Sequence, residues 1–282
     1  MLTRLPIAAS VLLLSACAAP ALPPVPLPTE LQPCQLSTVG SRSVVTHVPR
    51  GHTRPLSLVL AMHGLDGSAG DMESTTGFDA LADRDGAIVV YPSAAQGQWN
   101  QAPAVLGSEP DDVGFLSSIV QALVANGCAA PNRVFASGIS NGAGMAYRLA
   151  CDATVAVAAI GTVSGDYLGG DHCSRTRAVG AIALHGTADR RVPLEGVTFG
   201  TSVHPPVELW AAGWAGRNGC AAANPETSND SAPTARVLRW RACPNGGDVV
   251  LYEVDGGGHE WFDNASERVW AFFHDHGLSQ PR

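Results

Sequence analysis

From residue 43 onward, short apolar runs alternate with longer stretches of helical spacing. Leu56–Met62 (LSLVLAM) is almost wholly apolar and too short for a stable helix, which predicts a strand buried on both faces. The runs at 87–91, 134–136, 155–163, 178–184 and 249–254 read the same way. Residues 43–49 suit an opening strand near a sheet edge, and 235–241 a late strand. Between them, 78–84, 113–124, 143–150, 206–218 and 267–274 read as helices; Asp111 and Asp112 place negative charge at the positive end of the second, and Trp210 and Trp214 stand one turn apart in the fourth. Strands alternating with helices predict an α/β fold, a mostly parallel, doubly wound sheet with helices on both faces. Functional residues of such sheets lie at the carboxyl ends of the strands.

The first residues break this pattern. Arg4 precedes an apolar stretch at 7–14 that is too short to span a bilayer, closed by Leu14-Ser15-Ala16-Cys17. This resembles the lipobox of bacterial lipoproteins, in which Cys17 is lipidated and becomes the mature N-terminus. The other reading is an ordinary signal peptide cut after Ala16 or Ala19. Residues 1–17 are therefore expected to be a targeting segment, 18–42 a Pro/Ala-rich tether and lead-in, and 43–282 a single catalytic domain held at the cell envelope.

Composition narrows the function. Of 282 residues 45% are hydrophobic and 15% charged, ample for a core and unlike a membrane protein. A net charge of -8 argues against nucleic acid, because nothing neutralises phosphates. All 17 basic residues are arginine, which excludes a catalytic lysine. Setting Cys17 aside, six cysteines in an exported chain predict three disulfides among fifteen formal pairings. Cys220 and Cys243 flank a polar insertion and the strand after it; Cys151 and Cys173 bracket a strand and its loop; Cys34 then pairs with Cys128. No Cys or His spacing suggests a metal, and no cofactor is implied.

The chemistry centres on Gly138-Ile139-Ser140-Asn141-Gly142, set between an apolar strand and a small-residue helix. Glycines on both sides let strand and helix meet in a sharp turn with the Ser140 hydroxyl at its apex, the nucleophile elbow of α/β-hydrolases. A serine hydroxyl needs a base to take its proton and an acid to orient that base. In the chain order Ser, acid, His, the candidates are Asp189, in the loop after the 178–184 strand, and His259, in the glycine loop after 249–254. Asp255 is the rival acid, in a turn-like Asp-Gly setting. His185 is expected to pack at its strand end, and His274 and His276 to lie at the surface. Two backbone donors are needed for the oxyanion, and Asn141 N–H and Leu65 N–H are the candidates. Gly64 is the handle on the second, since a side chain there should disturb the loop. Trp99 and Trp261 are candidates for a substrate rim.

Together with Asp111-Asp112-Val113-Gly114-Phe115, His185-Gly186-Thr187-Ala188-Asp189, Val192-Pro193 and Gly257-Gly258-His259-Glu260-Trp261, the elbow resembles the polyhydroxybutyrate depolymerase / feruloyl esterase family, most of all its LpqC-type lipoproteins. The likeness runs from about residue 43 to the C-terminus. It implies a serine carboxylesterase with Ser140, His259 and Asp189 as its triad, and a disulfide matching Cys220–Cys243. Two departures stand out. Members acting on solid polymer usually add a substrate-binding domain, for which this chain leaves no room, and the tryptophan after the histidine is often followed by proline where this chain has Phe262.

The expectation is a secreted, lipid-anchored serine esterase for hydroxy-acid oligomers or for acetyl or feruloyl groups on polysaccharide. A serine peptidase of the same fold and a non-catalytic surface-binding protein on a hydrolase scaffold are the alternatives.

Overall fold

The computed structural model describes residues 32–168, 173, 177–200, 202–221, 224–231, 234–243 and 246–278. The signal segment, Cys17 and the tether up to residue 31 lie outside the described residues.

A ten-stranded sheet organises the chain, with strands β1 (Thr38–Val39), β2 (Arg42–His47), β3 (Leu56–Met62), β4 (Ala87–Pro92), β5 (Ala129–Ile139), β6 (Val157–Val163), β7 (Gly180–Gly186), β10 (Glu226–Ser231), β11 (Thr234–Trp240) and β12 (Val249–Val254). Their order is β1-β2-β4-β3-β5-β6-β7-β12-β11-β10. The six strands from β4 to β12 run parallel, and antiparallel strands close both ends. A separate hairpin, β8 (Val197–Phe199) with β9 (Ser202–His204), follows β7.

The pleat explains why the central strands read as unbroken apolar runs. Along β3, Leu56, Leu58, Leu60 and Met62 enter one core, while Val59 and Ala61 face the other. The first core is covered by α4 (Asp112–Ala125), α5 (Asn141–Asp152) and α6 (Val207–Arg217) through Leu116, Ile119, Leu149 and Trp210. The second is covered by α1 (Ala69–Thr76), α2 (Phe78–Asp85) and α7 (Ala265–Asp275) through Met72, Phe78, Trp270 and Phe273. A short α3 (Pro103–Leu106) lies in the long loop between β4 and α4.

The folded body reaches further towards the N-terminus than the expected boundary at residue 43. That residue falls inside β2, and Cys34 is fully buried in a disulfide with Cys128, so the segment from Gln32 belongs to the body. Cys151–Cys173 and Cys220–Cys243 are the other two disulfides. The polar insertion between Cys220 and Cys243 contributes β10, an edge strand exposed along nearly all its length. No helix of the described residues is long and apolar enough to cross a membrane.

Candidate active site

Ser140 joins β5 to α5 with φ 55° and ψ −122°, a conformation that L-residues avoid and that costs on the order of 1–3 kcal/mol. Four backbone hydrogen bonds hold it there. Its N–H donates to Val163 O at 3.0 Å, and its carbonyl accepts from Ala143, Gly144 and Asp166 N–H at 3.0–3.1 Å. Both flanking glycines are sterically required. A Cβ on Gly138 would come within 2.5 Å of the Gly142 carbonyl carbon, and one on Gly142 would overlap the carbonyl oxygens of Met62 and His63.

Asp189 follows β7 and is buried. Its Oδ1 accepts from the N–H groups of Arg191 and Val192, both at 2.9 Å, which fixes the carboxylate plane. The remaining oxygen, Oδ2, lies 2.8 Å from His259 Nδ1. The histidine loop is stapled to its neighbours: Thr187 N–H donates to Val254 O, Ala188 N–H to Gly257 O, and Gly256 N–H to Thr187 Oγ1, each at 2.9 Å. Ser164, just past β6, donates to Glu260 O at 2.9 Å, while two residues on Asp166 holds the Ser140 carbonyl. The loops after β5, β6, β7 and β12 thus form one hydrogen-bonded unit at the carboxyl edge of the sheet. Asp255 is exposed in its turn, with its N–H donating to Thr234 O, so Asp189 is the carboxylate that meets His259.

The loop after β3 completes this edge. A Cβ built on Gly64 would lie 3.5 Å from Ser140 Cβ, which places the loop against the elbow. That separation is an ordinary van der Waals contact, so a methyl group at Gly64 fits, contrary to the expected disturbance. Backbone bonds run from Asp66 N–H to Gly97 O and from Gly67 N–H to Gly64 O, passing over Leu65 N–H. Asn141 N–H opens helix α5, where no carbonyl a turn earlier accepts it.

His63 fixes the loop after β3. Its Nδ1–H donates to Gly64 O at 2.7 Å, and its Nε2 accepts from Ala94 N–H at 3.1 Å, a pairing open only to the neutral ring. Burial pushes its pKa below the usual histidine value. His185 is fully buried, donates from Nε2 to Val192 O at 2.7 Å, and is likewise lowered by burial.

The expectation for Trp99 is overturned. It is fully buried, its indole N–H donates to His63 O at 3.0 Å, and its backbone is clasped by the Asn141 side chain, N–H to Oδ1 at 2.7 Å and Nδ2–H to the Trp99 carbonyl at 3.0 Å. Trp99 braces the elbow from behind. Trp261 is half-buried, its ring edge-on to Phe78 and its N–H bound to Ser266 Oγ at 2.9 Å. Phe262 is buried in the core rather than on a rim. Leu65, by contrast, is 56% exposed beside the elbow.

Sequence reasoning also missed a polar chain under the nucleophile. Gln101 Nε2 donates to Asp166 Oδ2 at 2.8 Å, and His204 Nδ1 lies 2.7 Å from Asp166 Oδ1. These residues are far apart in sequence, and no local pattern joins them. The Asp-Asp pair at the start of α4 has a structural setting: buried Asp112 pairs with Arg42 and accepts from Asn100 N–H at 2.6 Å. No group of three or more His, Cys, Asp or Glu that could hold a metal ion is found among the described residues. A cleft of about 1230 Å³ lies at the opposite, amino edge of the sheet, between α7 and the β11–β12 pair, away from Ser140.

A model of the esterase PHB depolymerase family matches residues 43–201. The chain belongs to this family. It is a carboxylic ester hydrolase on an α/β-hydrolase fold. Feruloyl esterase B of Piromyces equi is 28% identical over 233 residues, which are 77% of this chain and 42% of that protein, so the chain spans less than half of that relative. Feruloyl esterase D of Neurospora crassa is 29% identical over 218 residues, 77% of this chain and 67% of that protein. Among solved structures, the acetyl xylan esterase from Aspergillus awamori has a TM-score of 0.62 at 17% identity, covering 84% of this chain and 98% of that one, a likeness of fold.

Proposed function

We propose that this esterase works through an acyl-enzyme on Ser140, with His259 as base and Asp189 as the carboxylate that orients it. The observation that carries the reading is the 2.8 Å bond from His259 Nδ1 to a buried carboxylate at the sheet edge that also bears the strained serine. With Nδ1–H donated to Asp189, the neutral ring keeps Nε2 as its base. In this mechanism Ser140 Oγ attacks the ester carbonyl as Nε2 takes its proton. The tetrahedral oxyanion is met by Asn141 and Leu65 N–H, and the alcohol leaves with the proton from Nε2. Water then repeats the steps and frees the acid. Two donors fixed before the reaction stabilise the transition state by about 3–4 kcal/mol each in comparable sites.

The substrates are esters of hydroxy-acid oligomers or acetyl and feruloyl groups on polysaccharide, in line with the names of the relatives. Export is supported by three disulfides, and lipidation at Cys17 is the proposed anchor.

Wild-type protein is expected to release p-nitrophenol from short acyl esters and to be labelled by a fluorophosphonate, with both lost in Ser140→Ala. Equal hydrolysis by the two proteins would sink the assignment. Membrane retention that survives Cys17→Ser would remove the lipid anchor alone.

A further inference from the structure

Within a few residues, the loop after β6 ties the nucleophile to the histidine loop. Ser164 donates to Glu260 O at 2.9 Å, and Asp166 N–H donates to Ser140 O at 3.1 Å. Buried Tyr167 then anchors the loop in the core, its hydroxyl 2.8 Å from Thr162 Oγ1 and its ring stacked 3.8 Å from that of Trp210. Between these anchors the Asp166 side chain, 18% exposed, is held from two sides. Gln101 Nε2 donates to Oδ2 at 2.8 Å, and His204 Nδ1 lies 2.7 Å from Oδ1. The two partners come from different elements. Gln101 N–H donates to the carbonyl of Trp99, the residue clasped by the Asn141 side chain, whereas His204 sits on β9. Both Gln101 and Asp166 also lie against the first turn of α5. A Cβ on Gly144 would overlap Gln101 Oε1 and the Asp166 carbonyl oxygen, so no side chain fits between them and the helix.

We propose that Asp166 is a positioning residue for Ser140, held in place by Gln101 and His204, an inference that rests on the serine-esterase reading above. Ser140 occupies a strained conformation, so its place depends on the bonds that hold it. The donors to its carbonyl from Ala143 and Gly144 belong to its own turn and move with it. Asp166 N–H and Val163 O come from outside that turn, and they fix the elbow against the sheet. The direction of the Asp166 N–H follows its peptide plane, and a side chain held at both carboxylate oxygens keeps that plane from turning. A carboxylate only accepts hydrogen bonds, so Gln101 must offer a donor there; an acceptor in its place would push Asp166 away. Misplacing a reacting group by about 1 Å can cost on the order of 100-fold in rate. Such a loss falls on kcat rather than KM, because the substrate is bound by other groups.

The test breaks one bond and then restores it in reverse. Gln101→Glu sets two carboxylates against each other, and at about pH 8.5 kcat on p-nitrophenyl acetate is expected to fall about 10- to 100-fold, with KM within about 2-fold of wild type. Adding Asp166→Asn turns the bond round, the new amide donating to the new carboxylate, and kcat is expected to return to within about 3-fold of wild type. Gln101→Ala, which adds no charge, should lose about 3- to 10-fold in kcat. A fluorophosphonate separates positioning from folding. Its labelling rate is expected to fall with kcat while labelling still runs to completion. A reduced final extent at an unchanged rate means fewer folded molecules, and overturns the proposal. So does an unchanged kcat in Gln101→Ala, or a double variant no faster than Gln101→Glu. Should Gln101→Glu fail to fold, Gln101→Ala decides by the same rate and extent of labelling. A wild type that hydrolyses no ester removes the esterase reading and this role with it; an active wild type matched by its variants removes this role alone.

Discussion

At the scale of single residues, the Asp189 carboxylate has divided duties. One oxygen is held by two backbone N–H groups and the other meets His259. Asn at this position would keep the first set of bonds and present an amide N–H to Nδ1, forcing the imidazole into the wrong tautomer. Asp189→Asn is therefore expected to lower kcat by about 10⁴-fold while the protein still folds, checked by ester turnover beside a circular-dichroism melt. The two buried histidines make a second prediction. His63 and His185 have pKa values lowered by burial, so below the unfolded value of 6.5 the unfolded chain binds more protons than the folded one. Stability is then full above about pH 6.5 and falls as pH drops, with a limiting slope of about 1.4 kcal/mol per pH unit for each histidine. Melting temperatures between pH 8 and pH 5 measure this, and a flat profile would contradict it. That Asp189 and His259 meet was legible because chain order and loop position are local facts. The burial of Trp99 was not, because a tryptophan in a polar loop shows nothing of the Asn141 amide 42 positions away that closes over it.

At the scale of elements, the elbow is braced by helix α5 and by the loop holding Trp99. Asn141→Ala would leave the Trp99 N–H buried without a partner, at a cost of about 1–3 kcal/mol, while the Trp99 carbonyl keeps its bond from Gln101 N–H. The expectation is a lower urea midpoint with unchanged slope, together with reduced turnover as the elbow relaxes. Asn141→Asp keeps the bond from Trp99 N–H but sets a buried carboxylate oxygen against the Trp99 carbonyl, so it should destabilise at least as much as Asn141→Ala. Central strands such as β3 and β12 were readable to the residue because burial on both faces demands an apolar run. The exposed edge strand β10, Glu-Thr-Ser-Asn-Asp-Ser, was hidden for the opposite reason: paired on one side only and wet on both faces, it carries no hydrophobic pattern. The β8–β9 hairpin and α1 were missed likewise, as short elements held by tertiary contacts.

For the whole molecule, the Cys34–Cys128 bond closes the longest loop of the three disulfides, with a sequence separation of 94. Paired Cys34→Ser and Cys128→Ser changes should destabilise the protein by about 2–5 kcal/mol, measured by denaturant titration under non-reducing conditions. The same bond has a geometric consequence. Cys128 directly precedes the amino end of β5, while Ser140 directly follows its carboxyl end, separated by roughly 23 Å, the length of the seven-residue β3 alongside. The chain therefore enters the body at the rear and opens its mouth at the front. An attachment made through the N-terminus therefore joins the body at the edge away from the serine. Protein immobilised by that end should turn over dissolved esters as fast as free protein, and reach polymer strands that approach from the far side.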